Sequence, residues 1–120
     1  EFSGWVPYEQ IGEAYVRGDL FVHPGIWPEP LNRTVFEAMQ ASLPVVCTDI
    51  GGPPEVIQHD EFLCEPANPD ALAAAISRAR AAGSDVGAQN REYILENHTP
   101  DVIINQMVDL YQGLCDLSKG

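Results

Sequence analysis

The chain has 120 residues, 45% of them hydrophobic, and carries 18 acidic against six basic side chains, for a formal net charge of −12. A chain of this length buries roughly two thirds of its extended surface and supports one hydrophobic core. So large an acidic excess excludes a nucleic-acid or anionic-membrane surface, since both recruit basic patches.

Residues 1–5 read as the tail of a strand running into a Gly/Pro turn. Residues 8–17 place Ile11, Ala14, Tyr15 and Val16 on a helical face, and Gly18 supplies a left-handed stop. Residues 19–23 are a short apolar run bounded by Gly18 and Pro24, the pattern of a strand covered on both faces. Residues 33–42 predict a helix that buries Val35, Phe36 and Met39 and is ended by Pro44, and residues 43–48 predict the next buried strand. A short helix over 54–59 and a third strand over 61–66 follow. Residues 70–82 form an alanine-rich helix that starts at Asn68 or Pro69 and ends at Gly83. Another helix spans 88–97, His98-Thr99-Pro100 turns the chain, and residues 101–117 form an amphipathic helix through Val102, Ile103, Met107, Leu110, Tyr111 and Leu114. The alternation implies an α/β fold: a partial Rossmann-like domain, with a parallel sheet of about three to four strands flanked by helices.

Cys47, Cys64 and Cys115 show neither metal-ligand spacing nor an even count, and the first two lie in apolar strand runs. Small buried thiols in a reducing compartment are expected, with no metal and no cofactor. No apolar run approaches the roughly eighteen residues of a membrane span, and no charged-then-apolar leader opens the chain. A soluble, cytoplasmic protein is expected, peripheral to a membrane only through a partner domain.

The chemistry concentrates in residues 27–57. Pro30 disfavours helix at Glu29, so Glu29 sits in a loop, while Glu37 lies just over one turn inside the following helix. Between them is a helix N-terminus, whose first amides lack intrahelical partners and carry the positive end of the dipole. An anion with hydroxyl-bearing groups on either side fits this arrangement, its charge on the amides and its hydroxyls on the carboxylates. A nucleotide sugar is such a molecule. Gly25 and the Gly51-Gly52 pair reach the same sheet edge, beyond the carboxyl ends of the strands, where open parallel sheets bind ligands. The glycine pair either lets backbone approach a ligand or makes a tight turn. Glu55 is equally readable as a first-turn acid complementing a dipole. His23 is expected to be a strand-end residue satisfied by backbone, and His59 and His98 receive no role.

The spacing Glu29-x7-Glu37, followed by Ala38-Met39, Pro44-Val45-Val46, Thr48 and Gly51-Gly52-x-x-Glu55, resembles the donor-site signature of family 4 (group 1) retaining glycosyltransferases of the GT-B fold. Gly4-Trp5-Val6-Pro7, Ala14-Tyr15, Gly18-Asp19-Leu20-Phe21-Val22 and Pro24 resemble the preceding segment of that family, and Pro66 with Asp70-Ala71-Leu72 the following one. The resemblance implies that residues 1–120 are the later part of the nucleotide-sugar-binding, carboxyl-terminal domain. It implies that Glu29 faces the donor sugar hydroxyls as the catalytic carboxylate and that Glu37 accepts hydrogen bonds from the ribose. The backbone at Asn32, Arg33 and Thr34 would meet the phosphate, with the Arg33 and Thr34 amides uncapped at the cleft edge.

The implied partners are a nucleotide-diphosphate sugar, an acceptor the sequence does not name, and an amino-terminal domain of the same enzyme, toward which the last helix crosses. Two positions depart from the family, Asn32 where Gly is usual and Leu31 where Phe is frequent. Asn tolerates positive φ, and Arg33 adds a charge-assisted contact. A glycoside hydrolase would also use two carboxylates but needs no helix N-terminus between them. A non-catalytic nucleotide-sugar-binding or protein-interaction module is the other reading. Because the 19–23 strand and the last helix each lack a covering partner, self-association is also expected.

Overall fold

The structure, a computed structural model, describes residues 2–117. Glu1 lies outside the described residues, and residues 2–5 are irregular rather than the expected strand. The chain then runs α1 (Tyr8–Val16), β1 (Phe21–His23), α2 (Arg33–Gln40), β2 (Val45–Thr48), β3 (Leu63–Cys64), α3 (Pro69–Ala82), α4 (Ser84–Asn97) and α5 (Pro100–Leu117). The strands make one parallel sheet in the order β1-β2-β3. This is the α/β architecture expected, with shorter strands.

The central strand β2 is buried along its whole length, and its alternation divides the core. Val45 and Cys47 pack with Val35, Ala38 and Met39 of α2 and Ile94 of α4; Val46 packs on the other side with Phe62 and with Ala75 and Ala79 of α3. The register pairs His23 with Cys47 and Thr48 with Cys64, which aligns the carboxyl ends of all three strands. The loops after them therefore open on one edge.

Helix ends decide how tightly these pieces join. Residues 33–42 were expected to be helical up to Pro44, but α2 stops at Gln40 because Ser42 takes a left-handed conformation, φ 62°. The Ser42 amide donates to the Met39 carbonyl and the Leu43 amide to the Ala38 carbonyl, 3.0 and 3.1 Å, a Schellman closure. It turns Leu43 into the core, and α4 presses on it: the Asn90 Nδ2 donates to the Leu43 carbonyl at 2.9 Å and Arg91 to the Gln40 carbonyl at 2.7 Å. At α1 the expected left-handed Gly18 is absent; the Gly18 amide instead closes a tighter final turn on the Tyr15 carbonyl, 3.0 Å. Asn68 caps α3 by accepting from the Ala71 amide, and Gly83 ends it with φ 75°.

The expected helix over 54–59 is a single 3-10 turn, Pro53–Glu55, and a second turn, Asp60–Phe62, takes up the start of the strand expected over 61–66. The first stops after the Val56 amide bonds the Pro53 carbonyl, because Val56 and Ile57 both go into the core. Helix α5 has the apolar stripe expected of it, yet buries none of its residues: Leu110 and Tyr111 remain 62% and 60% exposed. No helix among the described residues is long and apolar enough to cross a membrane.

Candidate functional site

Glu29 is in the loop after β1, as its neighbour Pro30 demands. That loop is clamped onto the one after β2. The Gly52 amide donates to the Glu29 carbonyl at 2.8 Å. A Cβ on Gly51 would come within 2.8 Å of the Glu29 nitrogen, and one on Gly52 within 2.7 Å of the Pro30 carbonyl carbon. Gly51 also has φ 71°, conformationally expensive for any other residue. The two glycines thus serve the close approach of the Glu29 loop. Gly25, at the start of that loop, accepts a hydrogen bond from the Thr48 hydroxyl at 2.6 Å through its carbonyl.

Asn32 is the N-cap of α2 and is buried, with 9% exposure. Its Oδ1 accepts from the Thr34 amide at 2.9 Å and from the Thr34 hydroxyl; its Nδ2 donates to Glu29 Oε2 at 2.8 Å and lies 3.1 Å from His23 Nε2. Two expectations change here. The Thr34 amide is not free, because the cap occupies it, and Asn32 needs no positive φ: it sits at φ −91°, ψ 109°, the extended conformation usual for a cap. His23 likewise meets a side chain rather than backbone.

Glu37 projects from the second turn of α2 toward α1. Arg33 Nε donates to its Oε1 at 3.0 Å, an i, i+4 pair, and the Tyr15 hydroxyl donates to its Oε2 at 3.0 Å. Burial and the Glu37 carboxylate push the Tyr15 hydroxyl up to about 12. The Arg33 guanidinium also donates to the Tyr8 hydroxyl and lies 5.0 Å from the Tyr8 ring centre; those contacts and Glu37 hold it charged. A cleft of about 450 Å³ opens beside Glu37 between α1 and α2, with Tyr8, Ile11, Gly12 and Tyr15 among its walls. Glu55 is exposed in the 3-10 turn, apart from these groups.

The two carboxylates thus flank the N-terminus of α2, Glu29 anchored by Asn32 and Glu37 by Arg33 and Tyr15. Sequence reasoning missed Tyr8, Tyr15 and the side-chain role of Asn32. The Arg33–Glu37 pair is legible from its spacing, whereas Tyr15 and Glu37 are 22 residues apart and meet only when α1 docks on α2. Among the described residues no group of three or more His, Cys, Asp or Glu side chains could hold a metal ion.

Residues 1–103 match the sequence pattern of the family described as Glycosyl transferases group 1. The chain belongs to that family. It is 36% identical over 103 residues to an uncharacterised glycosyltransferase of Methanocaldococcus jannaschii, covering 84% of this chain and 25% of the relative. It is 30% identical over 122 residues to a GDP-mannose-dependent alpha-mannosyltransferase of Mycolicibacterium smegmatis, covering 94% of this chain and 30% of that one. The fold superposes on sucrose-phosphate synthase of Thermosynechococcus elongatus with a TM-score of 0.82 and 28% identity, over 98% of this chain and 30% of that structure. The glycosyltransferase structures it superposes on are of GT-B type, as the sequence resemblance implied. The chain spans between a quarter and a third of the length of these relatives.

Proposed function

We propose that residues 1–120 form the later part of the donor-binding domain of a retaining glycosyltransferase, which transfers a sugar from a nucleotide-diphosphate sugar to an acceptor. The observation that carries this reading is the placement of Glu29 and Glu37 on either side of the α2 N-terminus, at the edge where parallel sheets bind ligands. Glu29 meets the sugar hydroxyls and stabilises the positive charge that develops at the anomeric carbon. Glu37 accepts from the ribose, the Arg33 guanidinium moving from its carboxylate toward the departing phosphate. The Arg33 amide and the helix dipole add to that stabilisation. The dependence of the mycobacterial relative on GDP-mannose supports a nucleotide-sugar donor.

The acceptor-binding groups and further cationic groups come from an amino-terminal domain, on which the exposed apolar face of α5 packs. Without that domain, this chain self-associates through α5 or through the edge of β1, which among the described residues pairs only with β2. Sedimentation of residues 1–120 at high salt, where charge repulsion is screened, tests this; a monomer at high concentration refutes it. Two buried thiols, Cys47 and Cys64, suit a reducing, cytoplasmic setting.

In the complete enzyme, Glu37→Gln should raise the donor KM about tenfold, the effect of one lost charged hydrogen bond, with the melting temperature nearly unchanged. Unchanged donor use refutes the role of Glu37. The anomeric configuration of the product, read by NMR, tests retention. A second reading, a non-catalytic module in which Glu37 only ties α1 to α2, is favoured by one observation: both Glu37 oxygens already have partners within the chain. It requires Glu37→Gln to lower stability and leave no donor affinity to lose.

A further inference from the structure

Asn32 turns both of its polar groups to partners at one spot. The carbonyl oxygen takes the Thr34 amide and hydroxyl, while the amide nitrogen reaches Glu29 at 2.8 Å on one side and the His23 ring at 3.1 Å on the other. A helix cap alone needs only the oxygen, and Ser or Asp serves as well. The two N–H donors are what Asn adds: they join the end of β1, the Glu29 loop and the first turn of α2 through one buried side chain.

We infer that Asn32 is a positioning residue for the Glu29 carboxylate, its side-chain amide holding Glu29 in the orientation in which it meets the donor sugar. Glu29 lies in a loop whose backbone is held by the Gly52 amide on the Glu29 carbonyl and by the Thr48 hydroxyl on the Gly25 carbonyl, whereas the Asn32 amide meets the Glu29 carboxylate itself. The backbone clamp fixes where the residue is, and the Asn32 amide fixes where its carboxylate points. The same side chain sets the phosphate geometry, because its oxygen occupies the Thr34 amide and leaves the Arg33 amide for the ligand. This inference rests on the donor-site reading above.

Asn32→Ser separates the two roles without adding charge: it retains an oxygen for the Thr34 amide and removes both N–H donors. In the complete enzyme it should lower kcat about tenfold or more, as expected for loss of a charge-assisted contact. Affinity for the nucleoside diphosphate alone, which lacks the sugar, should stay within about twofold, since the capped first turn is unchanged. Asn32→Gly, which frees the Thr34 amide, should lower kcat similarly while nucleoside diphosphate binding holds or tightens. Combining Asn32→Ser with Glu29→Gln should be no worse than Glu29→Gln alone, because once the carboxylate charge is gone there is none left for the Asn32 amide to orient. A wild-type kcat in Asn32→Ser beside an impaired Glu29→Gln overturns the inference and leaves the donor-site reading standing. Additive losses, or parallel losses of kcat and nucleoside diphosphate affinity, overturn it too by making Asn32 a plain structural cap. A wild-type kcat in Glu29→Gln overturns the donor-site role of Glu29, and this inference with it.

Discussion

Gly52→Ala tests how the Glu29 loop is held. Its φ of −83° suits any residue, so the substitution acts through space alone. An alanine Cβ would lie 2.7 Å from the Pro30 carbonyl carbon, and nearer its oxygen, where ordinary contacts begin at 3.4 Å. The obstacle is backbone, flanked by prolines at 28 and 30, and no rotamer change relieves it. Because the oxygen is the limiting contact, the loop must retreat by more than about 1 Å, which lengthens the 2.8 Å bond from the Gly52 amide to the Glu29 carbonyl. Overpacking costs about 1–3 kcal/mol and a lost hydrogen bond about 1, so the protein should lose about 2–4 kcal/mol by denaturant titration. A shift near 1 Å in a positioned group can lower a rate about a hundredfold, and transfer at saturating donor should fall on that scale under conditions where the variant is still folded. Wild-type stability together with wild-type transfer would show that the loop yields freely and that the glycine pair does not hold Glu29.

Asn90→Ala, on the far side of α2, should cost about 1–3 kcal/mol by leaving the buried Leu43 carbonyl without its donor, with donor KM unchanged; a neutral effect on melting would refute the role of that bond. Tyr15 has a folded value raised from 10.0 to about 12, so its contribution to stability is fully present below pH 10 and is lost as pH rises through 12. Cys47 shows the same sign, so the test is the difference from Tyr15→Phe: the stability gap between wild type and variant should narrow between pH 10 and 12, and a constant gap refutes it. Cys47, buried and pushed up to about 12, and Cys64, also raised by burial, should resist thiol reagents in the native protein and react at the rate of unfolding. Rapid native labelling of either would contradict their burial.

By itself the sequence determined what is local. Strand runs bounded by Gly and Pro, the Asn68 cap, the Gly83 stop and the loop position of Glu29 all follow from interactions within a few residues, and the structure agrees with them. The Arg33–Glu37 pair is equally local, although both side chains were expected to turn toward a ligand instead. The ordered motifs also placed the chain in its family, because they span most of its length. Only the tertiary structure decided what depends on distant segments meeting. The helical pattern of residues 33–42 runs past Gln40, but the α4 contacts and the burial of Leu43 turn the chain at Ser42. The glycine pair could be read as open to a ligand until the Glu29 loop was seen packed on it. Glu37 gained Tyr15 from α1, and Asn32 gained Glu29 and His23, through side chains whose meeting leaves no periodicity in the sequence. Local propensity sets which elements form; the few side chains that cross between them set where the two carboxylates point.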